Sequence, residues 1–416
     1  MTRPVDRSFT LSRRSLMAGA ASVGALAAMG GEGLIAPAYA TPTASDLRIR
    51  ELKTFRMDDA LFVKLTTDSG ISGWGETDAN NVTIMETFVH ESLARHVVGA
   101  DPFNSSPITE AGFYGEHDYG PGGALANAIA GIDIALWDLK GQILGLPIYR
   151  LLGGAYRDRI AVYGSFGTRR WTSMTPEQAV AKARKFADLG FRTVKCRMQI
   201  RESQLNPSED RTIEYISAIH RAMRGRVEIF TDINNGYSSN RAIQIGRVLQ
   251  DEYDMRYYEE PCSDQNHSET RRVVEALDMG IIAGEKEYTP WQLEELIRYA
   301  DPDYLNPDVI KAMGITGMHR IGVLSQVNQK PIIMHNTRPT ISTAASLHLA
   351  ASYPIIGPFM EYIDLDDYAA LMPVMDTRFV YADGFLRVPD GPGLGIRINE
   401  ERVVARAHAV RTVTAS

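Results

Sequence analysis

From about residue 160 onward one pattern repeats: a short apolar run ending in a polar or charged residue, then a stretch with helical spacing. The runs are "IAVYGSF", "TVKCR", "VEIFTDIN", "MRYYEEP", "GIIAGE", "DYLNPD", "KPIIMH" and "IGPFMEY". From Asp232 the polar ends recur at intervals of roughly 23–27 residues, which suits one strand–helix unit. A helix between two strands returns the chain to its starting edge, so such strands pair in parallel. Eight units of this kind fit a (β/α)8-type barrel better than an open sheet. In that barrel the C-terminal strand ends meet at one rim, and residues far apart in sequence become neighbours.

The chain before this repeat follows other periods. "LRIRELKTFRM" and "LFVKLTTDSGISGWGE", within residues 47–76, alternate as strands do, and Asp68-Ser69-Gly70 makes the turn of a hairpin. Residues 82–100 and 123–145 have helical spacing; in the second stretch Ile129, Ile132, Ala135, Leu136 and Leu139 fall on one stripe. Strands followed by helices suggest an α+β module. "PDGPGLGI" at 389–396 reads as a tail that returns to it. The expected organisation is a leader at 1–40, an N-terminal α+β domain at 41–158, a barrel at 159–386 and a C-terminal segment at 387–416.

The leader is expected from "SRRSLMAGAASVGALAAMG", in which Arg13 and Arg14 precede a soft apolar stretch, and from Ala38-Tyr39-Ala40, an A-x-A cleavage pattern. This resembles a twin-arginine export signal and places a mature chain starting near Thr41 in a bacterial periplasm. No later segment is apolar enough, for long enough, to span a bilayer. The net charge of −7 argues against nucleic acid or an anionic membrane as main partner. Cys196 and Cys262 are the only cysteines, too few for a disulfide framework.

The strand ends carry the chemistry. In "TVKCRMQ", Lys195 and Arg197 share one face and Cys196 takes the other. Two cations side by side need an anionic partner. Three successive strand ends, Asp232, Glu259 and Glu285, are carboxylates; gathered in a low-dielectric mouth they would repel and raise one another's pKa values. A divalent cation resolves that repulsion, and an all-oxygen ligand set selects Mg²⁺ or Mn²⁺ over zinc. Three carboxylates and a divalent ion leave one net negative charge. A bound substrate carboxylate makes two, and loss of the neighbouring proton makes three; Lys195 and Arg197 offset two of these. His335 follows "PIIM" and Asp308 follows "YLNP" on the preceding strand, so the aspartate can orient and charge-stabilise the imidazole as a general acid/base. Asn234 is a candidate hydrogen-bonding group within the site, with a turn before Gly236 as its other reading. Glu260 is expected behind the ligands or as a salt-bridge partner. His117, on the glycine-rich loop "FYGEHDYGPGG", is a candidate for substrate contact, whereas His319 and His348 sit in helical stretches.

These residues match a family pattern. "GWGE" at 73–76, "GIDIALWDLKGQILGLPIYRLLGG" at 131–154, "TDINNGY" at 231–237, "YYEEP" at 257–261, "AGE" at 283–285, "NPD" at 306–308, "MHN" at 334–336, "MEYIDL" at 360–365 and "DGPGLGI" at 390–396 stand in the family's order. The chain resembles the enolase superfamily, mandelate racemase subgroup, over nearly all of residues 47–400. The resemblance implies a modified (β/α)7β TIM barrel under an α+β capping domain, with loops near 55–60 and 77–120 shaping specificity. It implies Mg²⁺ on Asp232, Glu259 and Glu285, Asp308 and His335 as a dyad, and Glu361 as a hydrogen-bonding group that stabilises an enediolate. It also implies a small carboxylate substrate and a homo-oligomer.

One position departs from the family pattern. The subgroup's second strand usually reads Lys-x-Lys, with the second lysine a base; here that place is Arg197. A guanidinium stays protonated and is a poor base, but it clamps carboxylates and hydroxyls well. Racemisation needs proton transfer at both faces of the carbon, whereas dehydration can use one face, with His335 as base and then acid. The expected activity is dehydration of an acid sugar, an aldonate or aldarate, to a 2-keto-3-deoxy acid. The alternatives are a racemase or epimerase using Lys195 at the opposite face, and, more remotely, a non-catalytic periplasmic sugar-acid binder.

Overall fold

A computed structural model describes residues 47–415, apart from 59, 79–80, 121, 168–173, 199–204 and 364–371. The leader expected at 1–40 lies outside the described residues. Among those described, no helix is long and apolar enough to cross a membrane.

The N-terminal region is an antiparallel sheet backed by helices. Strands β1 (Ile49–Arg56), β2 (Leu61–Thr67) and β3 (Ser72–Glu76) pair in order. The β2–β3 turn puts Gly70 at φ +83, where a side chain would be strained. The helix Ala124–Leu144 lies against this sheet, and Ile129, Ile132, Ala135, Leu136 and Leu139 are buried in the shared core. Burial extends well beyond the expected stripe. Residues on the helix's other face, such as Ile134 and Asp133, are buried as well. The cause is a second neighbour: Trp137 Nε1 donates to Thr316 Oγ1 at 2.9 Å in the helix Gly314–Asn328 of the barrel. Close approach on the sheet side depends on glycine, because a Cβ on Gly75 would collide with the Gly131 carbonyl oxygen.

The barrel is built from β4 (Arg159–Gly167), β5 (Thr193–Arg197), β6 (Glu228–Asp232), β7 (Tyr257–Glu259), β8 (Gly280–Ala283) and β9 (Tyr304–Leu305), paired in parallel in chain order. The seventh position is a short extended segment joined by the bridges Leu305↔Ile332 and Asp308↔His335. Strand β10 (Met360–Ile363) follows; Glu361 N donates to Met334 O at 3.1 Å, and β10 pairs in parallel with β4, which closes the ring. All eight apolar runs are therefore barrel staves. Helices between them start where polar caps satisfy the first free N–H groups: Thr175, Ser238, Asn266 and Thr289 each accept such a bond. Aromatic rings fill the barrel interior, with Tyr163 edge-on to Phe230 at 4.9 Å and to Phe359 at 5.0 Å.

After the barrel come the short strands β11 (Tyr381–Ala382) and β12 (Phe385–Arg387), the latter antiparallel to β4. The chain then crosses to the N-terminal region, where β13 (Ala409–Thr414) pairs antiparallel with β1. Two buried aspartates of the long helix tie it to other segments, Asp138 to β3 and the C-terminal segment and Asp133 to the barrel. Asp138 accepts from Trp74 N at 2.8 Å and from Leu394 N at 2.9 Å. Asp133 accepts from Thr316 N at 2.8 Å, from its Oγ1 at 2.5 Å and from Thr109 Oγ1 at 3.0 Å, and so supplies an acceptor in the first turn of the barrel helix.

Candidate active site

The parallel register delivers the strand ends to one rim. Gly167 pairs with Arg197, Arg197 with Asp232, and Asp232 with Glu259, so these positions lie side by side across four strands. Lys195, two residues before Arg197, points inward with it, while Cys196 is buried among the apolar residues outside the ring. Asp232, Glu259 and Glu285 are all buried, and one oxygen of each lies within 4.8 Å of the others. Asp232 Oδ1 accepts from Asn234 N at 2.7 Å, and Asn234 Nδ2 reaches Asp232 Oδ2 at 3.0 Å. Asn234 and Asn235 have positive φ, a tight turn that folds the asparagine back over the strand end. Glu259 Oε1 accepts from Lys195 Nζ at 2.7 Å and Asn306 Nδ2 at 3.2 Å, but its Oε2 is buried without a partner. A buried acceptor left open amid converging carboxylates is the donor arrangement a hard divalent cation fills.

Lys195 is the hub on the opposite side. Its Nζ lies 3.0 Å from Glu361 Oε1 and 3.9 Å from Asp232 Oδ2, and 5.4 Å above the ring of Tyr163. Burial alone would lower its pKa, but the charges of Glu259 and Glu361 outweigh this and hold it well above the usual lysine value. Arg197 adjoins this cluster through the strand register, and its Nε is buried without a hydrogen-bond partner.

His335 completes the mouth. Its Nδ1 donates to Asp308 Oδ2 at 2.6 Å, and Asp308 Oδ1 accepts from Ile310 N at 3.0 Å, so the aspartate is held from both ends. The other ring nitrogen, Nε2, faces the carboxylates, 2.6 Å from Glu285 Oε2 and 3.6 Å from Glu361 Oε2. Burial would lower the imidazole pKa, yet Glu285, Glu361 and Asp308 raise it to about 10. The carboxylates respond unequally. Burial pushes Glu259 up to about 8, with Asp232 and Glu361 adding to the rise against Lys195. Glu361 is drawn down to about 2, the charges of Lys195 and His335 exceeding the effect of its burial. Glu285 is held well below the usual range, its burial outweighed by His335 and Lys286.

The structure thus unites Lys195, Asp232, Asn234, Glu259, Glu285, Asp308, His335 and Glu361, with Arg197 beside them. Glu260 lies next to them as a salt-bridge partner, of Lys286 at 3.2 Å. His117 stands apart: it is exposed, and its Nδ1 bonds to Tyr114 O at 2.9 Å. Sequence reasoning missed Asn306, Lys286 and Lys311. Asn306 had a signal, since alternation places it on the face of Asp308. Lys286 and Lys311 lie beyond their strands, where no period fixes direction; Lys311 Nζ is 4.0 Å from Glu285 Oε1.

This fold and rim define a two-part enzyme class. Residues 47–153 match the mandelate racemase / muconate lactonizing enzyme N-terminal domain, and residues 178–402 match the enolase C-terminal domain-like family. The chain belongs to the enolase superfamily, in its mandelate racemase subgroup. It is 29% identical over 369 residues to the D-galactonate dehydratase of Pectobacterium atrosepticum, covering 87% of this chain and 94% of that protein. It is 29% identical over 373 residues to the D-galactonate dehydratase of Variovorax paradoxus, covering 88% of this chain and 95% of that one. A mandelate racemase/muconate lactonizing protein from Paracoccus denitrificans, solved in complex with magnesium, superposes with a TM-score of 0.80 at 29% identity, over 88% of this chain and 98% of that one.

Proposed function

We propose that this chain is a Mg²⁺-dependent hydro-lyase that removes water from an acid sugar to give a 2-keto-3-deoxy acid. The observation that carries this is a single imidazole acid/base, His335, oriented by Asp308 and with Nε2 turned to Glu285 and to Glu361, the carboxylate that Lys195 also holds. Asp232, Glu259 and Glu285 would hold the ion, whose chemistry is to bind the substrate carboxylate and lower the cost of charge formed beside it.

The rest follows from the chain's own groups. Glu285 does most to raise the His335 imidazole, and it is one of the carboxylates whose charge the ion would neutralise; with that pull removed, Nε2 can take the α-proton while Asp308 at Nδ1 stabilises the resulting imidazolium. Lys195 and Arg197 offset the negative charge that the substrate gains as its enediolate forms. Glu361 is held in place by Lys195 and by Asn336 N, which donates to its Oε2 at 3.2 Å; as a carboxylate it offsets no negative charge, and it can donate to the enediolate only when its carboxyl carries a proton. The proton on Nε2 then passes to the β-hydroxyl, which leaves as water. The enol product becomes the keto acid. One C–H and one C–O bond break and one water forms, so a single acid/base suffices.

Racemisation would require a second base at the other face. Lys195 is tied to two carboxylates and held protonated, and Arg197 is a guanidinium, so neither is suited to accept a proton. The D-galactonate dehydratase relatives support an aldonate as the substrate class to test first. The test is a panel of acid sugars with Mg²⁺ in D₂O, read for keto acid and for α-deuterium together. Keto acid from at least one aldonate or aldarate is expected. Substrate recovered intact by mass, with deuterium at the α-carbon, would overturn the reading in favour of epimerisation. The paired arginines at 13–14 and the A-x-A pattern at 38–40 support a further part of the proposal, export to the periplasm; cell fractionation tests it, and a cytoplasmic, full-length product would refute it.

A further inference from the structure

Glu260 follows a ligand position directly, yet its backbone is left-handed at φ +42, a region that strains any residue with a Cβ. That turn brings its carboxylate back to the cluster, where Asn234 Nδ2 reaches Glu260 Oε2 at 3.4 Å as well as Asp232. Among the described residues, one ammonium bridges Glu260 and Glu285. Lys286 Nζ bonds to Glu285 Oε1 and stands 3.2 Å from Glu260 Oε2, on a side chain only 15% exposed. A divalent ion and an ammonium on the same carboxylate repel, and inside a protein that repulsion is weakly screened. Lysine has a flexible stem and three donors, so it can shift between oxygens without backbone movement. Glu260 offers the second oxygen, and release from Glu285 therefore leaves no buried charge unpaired.

We infer that Lys286 and Glu260 form a parking pair: Lys286 Nζ holds Glu285 in the metal-free protein and moves to Glu260 alone when Mg²⁺ binds, so the pair sets how tightly the ion is held. The inference rests on the acidic trio as the metal site, but it assigns a task to two residues outside that trio. It gives the strained glutamate a task at a backbone position where glycine would sit at ease. It also predicts a sign. Without Glu260 the ammonium has Glu285 as its nearest remaining carboxylate and competes with the ion; without both residues the competition ends.

The test is a double-mutant cycle on the chelator-stripped full chain, with Mg²⁺ alone titrated by calorimetry. Glu260→Gln is expected to weaken Mg²⁺ binding by about tenfold, an effect of charge competition at short range. Glu260→Gln combined with Lys286→Met is expected to return affinity to the wild-type value or tighter. Lys286→Met alone is expected to bind at least as tightly as wild type and to melt at a lower temperature when metal-free. Glu260→Asp keeps the charge but shortens the reach, and an intermediate affinity is expected if the glutamine variant folds poorly. The same loss from Glu260→Gln whether residue 286 is Lys or Met, or no change in any variant, overturns the inference. Failure of the wild-type chain to bind Mg²⁺ is a different result, which removes the metal reading itself.

Discussion

The two walls of the barrel rim are built by different means. On the wall from β5 to β8, continuous parallel pairing sets Arg197, Asp232 and Glu259 side by side, and the backbone alone fixes their spacing. On the wall from β9 to β10, pairing thins to single bridges, and His335 is held by the side chain of Asp308. The first wall concentrates charge that must not move. The second carries a ring that must gain and lose a proton, held by a hydrogen bond on its far nitrogen. Binding and proton transfer should therefore fail separately.

The strongest test of that separation is Glu259→Gln. Loss of both Mg²⁺ binding and turnover is expected, roughly 10³-fold or more in kcat/KM, since several kcal/mol of charge stabilisation disappear. Calorimetry beside a keto-acid assay reads both. His335→Asn on the other wall should cost about 10²–10⁴ in kcat, the usual worth of a positioned acid/base, while Mg²⁺ affinity stays within a few-fold of wild type. Loss of metal binding in that variant would merge the two walls. Arg197→Lys sharpens the comparison within the first wall. The cluster keeps its charge but loses the planar clamp, and a fall of about 10–100-fold in kcat/KM is expected, read by steady-state assay on the preferred substrate.

The smallest effect concerns Glu76, at the end of β3, which accepts from Thr340 Oγ1 at 2.7 Å and Ser342 N at 3.1 Å just beyond the His335 wall. Burial, partly offset by Arg338, pushes its carboxyl up to about 7 from 4.5. The folded chain then binds more protons than the unfolded one between those values, so this group makes stability fall as pH rises through that window. Glu76→Gln should flatten the fall, as urea melts at pH 4.5 and 7 would show; an unchanged difference between the two pH values would count against it.

What the sequence made readable follows from the same contrast. A parallel barrel turns a repeat of strand ends into a ring of neighbours, so Asp232, Glu259, Glu285, Asp308, His335 and Glu361 could be placed from the ends of apolar runs. Side chains in the turns after strands follow no period, and Lys286 and Lys311 were missed for that reason. His117 shows the converse: a reactive residue type on a glycine-rich loop that the fold leaves at the surface. The helix Ala124–Leu144 reads as amphipathic because its small residues mask a second buried face. The barrel helix packed there shows why Asp133 sits in it, and the β3 edge and C-terminal segment show why Asp138 does.

Asp133 has a mechanical consequence. To swing the N-terminal layer away from the barrel would strip Asp133 of both donors that Thr316 supplies and leave it with Thr109 alone in a buried seam. Opening a hinge between the layers at this point therefore exposes a buried carboxylate to the loss of its barrel donors. The same seam couples the fate of the halves under heat: the sheet and the barrel should come apart in one cooperative event, with no half-molecule persisting as an intermediate.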